Sequence, residues 1–157
     1  MNLSSINDNQ NQSILLIDSS FDFNNLKKII NKKNIRVITF DYKSHTILEN
    51  QSISHELSED YLTDKQYQQA QEYVYKFSYW YTNEKFSNFL EHDQINIGRL
   101  YIDEMINFFV RFLKKFKEIE AIFKANPNKN FYADNELFQI TKFFTNYVYT
   151  ISICSKI

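Results

Sequence analysis

Glycine, proline and cysteine are almost absent from this chain, which has one of each in 157 residues. A single cysteine excludes an internal disulfide and fits a reducing compartment, so we expect a cytoplasmic location. Because glycine is so scarce, tight turns with positive φ must be made by asparagine or aspartate. Glycine-rich phosphate loops are missing as well, so we expect neither a Rossmann-type cofactor nor any other cofactor.

The chain also lacks an excess of charge and a long apolar run. Its formal net charge is −1, whereas a nucleic-acid-binding domain presents a basic face, so we expect no nucleic-acid partner. No run of about 18 apolar residues occurs, and we therefore expect no transmembrane segment. Residues 1–12 are polar and rich in asparagine, which predicts a flexible tail without a secretory signal.

What the chain does contain, near its start, is two short apolar runs that each end in an aspartate. Residues 14–17 lead into Asp18, and residues 35–40 lead into Asp41. A strand, a helix and a parallel second strand explain this order, and the carboxyl ends of such strands meet at one edge of a sheet. Apolar residues recur at helical spacing between the two runs: Phe23, Leu26, Ile29 and Ile30.

The middle of the chain is helical by pattern. Thr63 and Gln66 form a capping box, which predicts a helix that starts there and ends near Thr82 and Asn83. Aromatic residues follow this cap, and their spacing favours a core position over a stacking surface for carbohydrate or nucleic acid. The aromatic residues are Tyr73, Tyr75, Phe77, Tyr79, Trp80 and Tyr81.

These patterns together predict an α/β fold: a Rossmann-like small parallel sheet flanked by helices, with a large helical insertion between about residues 63 and 123. Residues 13–157 are expected to form a single Rossmann-like domain. The remaining elements are predicted at residues 44–50 (helix), 53–57 (strand), 84–90 (helix), 95–123 (helix), 130–132 (extended), 137–144 (helix after Asp134) and 147–154 (β-rich).

Candidate ligand-binding residues lie where the two predicted strands end. Asp18, Ser19 and Ser20 follow the first strand, and Asp41 follows the second. Their side chains, with the free N–H groups of the next helix, suit a hydroxylated or anionic ligand. In the alternative interpretation these residues only cap helices and close turns.

The only glycine and its neighbour form a second candidate. Gly98, in a chain this poor in glycine, indicates a backbone requirement such as a close approach or a helix start. Arg99 beside it suits a carboxylate or phosphate. Alternatively, Arg99 pairs with Asp103 or Glu104 on the helix surface.

Other polar residues do not form a recognisable catalytic set. His45, His55 and His92 are scattered, and their spacing predicts surface or loop histidines rather than a metal site. Glu118 and Glu120 are two positions apart on a predicted helix, so we expect them to face apart and to be solvated rather than to act as an acid/base pair.

Four segments, in this order, resemble the N-terminal region of microbial and archaeal surface-carbohydrate (polysaccharide) biosynthesis proteins. Those proteins are similar to two-domain glycosyltransferases of the GT-B fold. The resemblance spans roughly residues 13 to 146 and depends on strand ends, a Leu-Thr helix start and an Asn-Ile-Gly-Arg-Leu segment. The segments are ILLIDSSF (14–21), ITFD (38–41), HELSEDYL (55–62) and INIGRL (95–100).

The resemblance implies an acceptor-side domain that is inactive alone and needs a C-terminal glycosyltransferase domain, which would hold the nucleotide-sugar. Such a domain would bind a saccharide or lipid-linked acceptor, and the candidate residues above, including Arg99, would line its site. An alternative function is a non-catalytic α/β interaction module that dimerises through its aromatic helix surface. A complete enzyme is the least favoured, because no nucleophile, base and orienting group can be assembled from spacing.

Overall fold

The structure, a computed structural model, describes residues 12–32 and 34–150. These residues belong to two compact units: one contains the chain up to Tyr61 and from Glu118 onward, and the other runs from Leu62 to Lys117. We call them the sheet unit and the helical unit. The predicted tail lies outside the described residues except for Gln12, as do residues 151–154 of the β-rich segment predicted at residues 147–154.

Thirteen helices and strands make up the described part of the chain, in addition to short 3-10 helices. In chain order they are β1 (Ser13–Ile17), α1 (Leu26–Lys32), β2 (Ile35–Thr39), α2 (Tyr42–Asn50), β3 (Glu56–Leu57), α3 (Asp64–Ser78), α4 (Glu84–Leu90), β4 (Glu91–His92), β5 (Ile95–Asn96), α5 (Ile102–Ala125), β6 (Phe131–Tyr132), α6 (Asn135–Thr141) and β7 (Val148–Tyr149).

Five parallel strands form the sheet of the sheet unit, in the order β3-β2-β1-β6-β7. β1 is central: Ile14 is in register with Arg36 of β2 on one side and with Phe131 of β6 on the other. The strand order therefore reverses at β1, and the crevice between the carboxyl ends of β1 and β6 is the topological switch point. The α/β fold and the parallel pair predicted from the two aspartate-terminated runs are confirmed.

Each face of the sheet has its own helical cover. Leu15, Ile17 and Val37 share one face and pack in one buried cluster with Leu26 of α1 and Leu48 of α2. Burial of one such side chain contributes about 1.5–3 kcal/mol, so this layer is a large part of what holds the sheet unit together.

The opposite face carries Ile14 and Phe131, whose side chains alternate with those of the first layer. The ring of Phe131 lies 6.1 Å from the ring of Phe123, near the end of α5. Ile119, one turn earlier on α5, and Ile122, directly before Phe123, are also buried. Only the last turns of α5, from Glu118 onward, belong to the sheet unit.

Glu118 is buried, whereas the sequence predicted that it would be exposed to solvent. Its side chain is fully buried, and one carboxylate oxygen accepts a hydrogen bond of 3.0 Å from the hydroxyl of Ser58. The reason is that Glu118 lies beside Ile119 on the covered part of α5. Glu120 is partly exposed and pairs with Lys124 at 2.6 Å, one turn along the helix.

Three element boundaries also differ from the sequence prediction. β3 has two residues instead of five, and α3 ends at Ser78, followed by a 3-10 helix at Trp80–Thr82. The long helix starts at Ile102 instead of residue 95, because β4 and β5 form a hairpin and Ile97–Tyr101 is a 3-10 helix.

Positive-φ turns are made without glycine, as predicted, although Gln94 and Ser52 take part besides Asp and Asn. Asp93 and Gln94 have φ of 49° and 65° between β4 and β5, Asn128 has 64° after α5, and Asn135 has 52° at the start of α6. Ser52, with 54°, also takes this conformation. Paired positive φ angles match the twist of a two-residue hairpin, which explains why helical periodicity failed around residue 93.

Most of the aromatic cluster on and after α3 lies on the surface, so its predicted core position is wrong. Tyr73, Tyr75, Phe77 and Tyr79 have exposed fractions of 50–67%, and of the six only Tyr81 is buried. The buried residues of α3 are small instead: Ala70, Val74 and Ser78. The capping box at Thr63 is confirmed, with Gln66 bonding back to it.

Within the described part of the chain, none of the helices combines the length and the apolar character that a membrane span needs.

Gly98 meets the backbone requirement predicted for it. It is buried at the start of its 3-10 helix, where its N–H donates to Oδ1 of Asn96 at 2.9 Å. A Cβ atom at this position would overlap the Cβ of Tyr81. Only glycine therefore lets the two segments approach so closely.

We expect Gly98→Ala to destabilise the helical unit by about 1–3 kcal/mol, the usual cost of overpacking a buried position. The single tryptophan, Trp80, lies next to Tyr81 in the same unit and reports urea unfolding by fluorescence. Leu100→Ala, at an exposed position two residues away, is the control. An unfolding midpoint that Gly98→Ala leaves unchanged would contradict the close approach.

Candidate functional site

The loops that follow β1 and β2 meet at the carboxyl edge of the sheet. The backbone N–H of Ser19 donates to Oδ2 of Asp41 at 2.7 Å, although the two residues are 22 positions apart. The parallel register of β1 and β2 causes this, since Ile17 pairs with Thr39 at the ends of the strands. The structure therefore brings together the four candidate residues of these two loops.

Asp18 organises the loop after β1. Its buried carboxylate accepts hydrogen bonds from the backbone N–H of Ser20 at 2.9 Å and from the hydroxyl of Ser20 at 2.6 Å. Asp22, and not Ser20, caps the short helix that follows, by accepting from the N–H of Asn24 at 3.0 Å. Ser20 is thus held at the edge of the sheet rather than used as a helix cap.

Asn135 completes this edge from the other side of the switch point. It is the first residue of α6, and its side-chain amide donates to the hydroxyl of Ser20 at 3.1 Å. Sequence reasoning missed Asn135, because the two residues are 115 positions apart. The one signal that the sequence offered was a polar residue three positions after the extended segment predicted at residues 130–132.

The carboxylate of Asp41 accepts hydrogen bonds from two backbone N–H groups. Oδ1 accepts from the N–H of Ser44 at 2.7 Å, which caps α2, while Oδ2 accepts from Ser19. Partial burial acts to raise the pKa of Asp41, but the hydrogen bonds from Ser44 and Ser19 outweigh it and leave the pKa below its ordinary value. Asp41 is therefore held as a carboxylate at the edge.

Thr39, the last residue of β2, carries a buried hydroxyl that has no hydrogen-bond partner among the residues the structure describes. A buried polar group left without a partner costs about 1–3 kcal/mol. The hydroxyl lies two residues before Asp41, at the carboxyl end of the strand.

Arg99, the fifth candidate, belongs to the helical unit, whereas the other four belong to the sheet unit. It is exposed on the 3-10 helix Ile97–Tyr101. Its role in ligand binding stays a prediction.

A second polar network ties β2 to β3 and to the end of α5. The Nε and Nη2 atoms of Arg36 each donate to one carboxylate oxygen of Glu56 at 2.8 Å, a bidentate pair. Nη1 donates to Asn126 and Nη2 also to the hydroxyl of Tyr61, both at 2.9 Å. Burial, reinforced by its hydrogen bond to Glu56, raises the pKa of Tyr61 to about 12. This network is a structural clamp.

A cavity of about 500 Å³ lies near this clamp rather than at the carboxyl edge. Its lining includes Gln12, just before β1, and Ile35, the first residue of β2, together with Arg36, Ser54 and His55. The five candidate ligand-binding residues do not line this cavity.

Two of the three histidines lie together, which their spacing in the sequence did not indicate. Nδ1 of His45 lies 2.8 Å from Nε2 of His55. Glu49, one turn after His45 on α2, brings a carboxylate to the pair, and the three ligand atoms lie within 4.8 Å of one another. His92 lies in the β4–β5 hairpin of the helical unit.

Comparison with protein-family models, with curated proteins and with solved structures finds no match for this chain. The resemblance to GT-B-like surface-carbohydrate proteins stays a prediction.

The lowered pKa values of Asp41 and Glu56 predict a loss of stability in acid. For Glu56 the main cause is the hydrogen bonds from Arg36, which outweigh burial. A carboxyl group whose pKa is lower in the folded than in the unfolded protein stabilises the fold at pH values above its unfolded pKa. That unfolded pKa is ordinarily 3.8 for Asp and 4.5 for Glu. That stabilisation is lost as the pH falls through the folded values.

We therefore expect the free energy of unfolding, measured by urea titration and circular dichroism, to fall as the pH drops below about 4.5. Asp41→Asn keeps an acceptor for Ser44 but has no charge to titrate. The free energy of unfolding of this variant should therefore change less with pH in this range. Glu72→Gln, at an exposed position on α3, is the control. Parallel wild-type and Asp41→Asn profiles would contradict the hydrogen-bond account.

Proposed function

We propose that the sheet unit binds a small hydroxylated molecule of the saccharide class at the carboxyl edge of β1, β2 and β6, as the acceptor-side domain of a glycosyltransferase-like protein. The hydrogen bond between Ser20 and Asn135 carries the proposal. It joins the loops on both sides of the switch point, where ligands of open α/β sheets bind.

The chemistry of this edge favours a neutral hydroxylated ligand over a phosphate. Asp18 and Asp41 bring carboxylates, which accept hydrogen bonds from sugar hydroxyls and repel anions. Ser20 and Asn135 add groups that both donate and accept. A sugar hydroxyl also does both, so the two sets of groups are complementary.

Thr39 supports the same proposal from a different observation. Its buried hydroxyl has no partner in the described part of the chain, at the strand end that leads to Asp41. A ligand hydroxyl, or a water that the ligand orders, would satisfy this group. A residue kept only for packing would be better served by valine, which has the same shape without the hydroxyl.

The test is an NMR titration of the ¹⁵N-labelled full chain with N-acetylglucosamine and with maltose. We expect chemical-shift changes at the amides of Ser19, Ser20 and Asp41. Asn135→Gly removes the side-chain amide but tolerates the positive φ of this position, and should weaken binding about fivefold, the value of one hydrogen bond. Asn128→Gly, the same change at another positive-φ turn, is the matched control.

Thr39→Val separates ligand binding from folding. If Thr39 serves the ligand, this variant keeps or gains stability in urea and loses affinity. Absence of shifts at the edge, or equal losses for the Asn135 and Asn128 variants, would overturn the proposal for these probes.

A second candidate function, self-association through the helical unit, is favoured by its exposed aromatic residues. Exposed apolar patches of this kind mark interaction surfaces. The charges of α3 cancel, with Asp64 and Glu72 against Lys65 and Lys76. A neutral aromatic surface complements an identical surface better than an acidic or basic partner, so we propose a second copy of this chain as the occupant.

Sedimentation velocity over a concentration series tests self-association. We expect a monomer–dimer equilibrium in the wild-type chain. Combining Tyr75→Ser with Tyr79→Ser, two exposed positions one helical turn apart, should raise the dissociation constant about tenfold or more, since buried aromatic residues dominate interface energies. Tyr147→Ser, an exposed tyrosine of the sheet unit, is the control. A wild-type chain that stays monomeric throughout would refute this candidate.

A further inference from the structure

The structure assigns a site for a zinc-class divalent cation to His45, Glu49 and His55, on the outer side of α2. This site is separate from the proposed saccharide edge and does not depend on it. All three residues belong to the sheet unit.

The geometry of α2 and its following turn builds the site. His45 and Glu49 are four positions apart on one helix, so their side chains lie on the same face one turn apart. The chain then reverses at Ser52, which has positive φ. The N–H of Ile53 donates to the carbonyl of Leu48 at 3.0 Å, and this bond holds the turn that returns His55 to the helix.

The histidine pair already has the hydrogen bonding of a ligand pair. Nδ1 of His55 lies 2.8 Å from the backbone carbonyl of Ile53. A carbonyl only accepts, so in the neutral ring Nδ1 carries the proton and Nε2 presents its lone pair toward His45. Metal-binding histidines usually have this second hydrogen bond, which fixes the ring and the tautomer.

Metal binding would replace the hydrogen bond between the rings without a net change in protonation. Nδ1 of His45 donates to Nε2 of His55 in the metal-free state; its proton would move to Nε2 of the same ring, and both facing nitrogens would then bind the cation. Tetrahedral zinc with Zn–N bonds of about 2.0–2.1 Å needs nitrogens about 3.3 Å apart. The rings would separate slightly from 2.8 Å.

Glu49 supplies the third ligand and sets the class of metal. Its side chain is exposed, and no hydrogen bond or ion pair engages its carboxylate within residues 12–32 and 34–150. Two imidazoles and one carboxylate suit Zn²⁺ and its neighbours rather than Ca²⁺ or Mg²⁺, which prefer oxygen ligands alone. Three protein ligands leave a fourth tetrahedral position for water.

Isothermal titration of the full chain with ZnCl₂ at neutral pH tests the site. We expect one equivalent to bind and to raise the melting temperature, because the cation ties α2 to the loop before β3. His45→Ala and His55→Ala should each weaken binding about tenfold or more. His92→Ala, which changes the histidine of the helical unit, is the matched control and should bind like the wild type.

Two further measurements test the cation site even if a histidine variant fails to fold. Glu49→Gln changes an exposed side chain and should also weaken zinc binding, with an unchanged circular dichroism spectrum. Co²⁺ should give the intense visible absorption of a tetrahedral site in the wild type and lose it in Glu49→Gln. Binding that persists in His45→Ala, falls equally in His92→Ala, or takes several equivalents without saturation would overturn the assignment.

Discussion

Burial of β1 on both faces is the constraint on which the sheet unit depends. Its four apolar residues Ile14–Ile17 are buried, and they alternate between the α1–α2 layer and the layer of the last turns of α5. Parallel neighbours on both edges are the arrangement that satisfies the backbone of such a strand while covering both faces. The positions of β2 and β6, and hence the switch point, follow from that requirement.

Polar groups collect where the covered strands end. Once β1 and β2 are in register, the N–H of Ser19 and the carboxylate of Asp41 must lie side by side, and each satisfies the other. The same residues therefore hold the loops in place and form the candidate binding edge. For Asp41 a structural and a binding role are compatible, because a carboxylate oxygen has two lone pairs and each oxygen of Asp41 accepts one backbone N–H.

Polar residues also order the covered side of the sheet. Arg36 is the second residue of β2, whose other residues are buried, and it is tolerated because Glu56, Tyr61 and Asn126 accept hydrogen bonds from its guanidinium group. Glu118 is tolerated in the same region through the hydroxyl of Ser58. Such bonds have strict geometry, so they select one register between β2, β3 and the end of α5.

The amino-acid pattern alone determined the two aspartate-terminated strands, the capped start of α3, the backbone requirement at Gly98 and the positive-φ turns made without glycine. All of these depend on residues within a few positions of each other, where spacing fixes geometry. Only the tertiary structure decided that Asn135 reaches Ser20, that Arg36 reaches Asn126, and that Glu118 is buried, over separations of 115, 90 and 60 residues. Even the His45–His55 pair needed the turn at Ser52, because periodicity shows which face a residue takes but not which distant face it will meet.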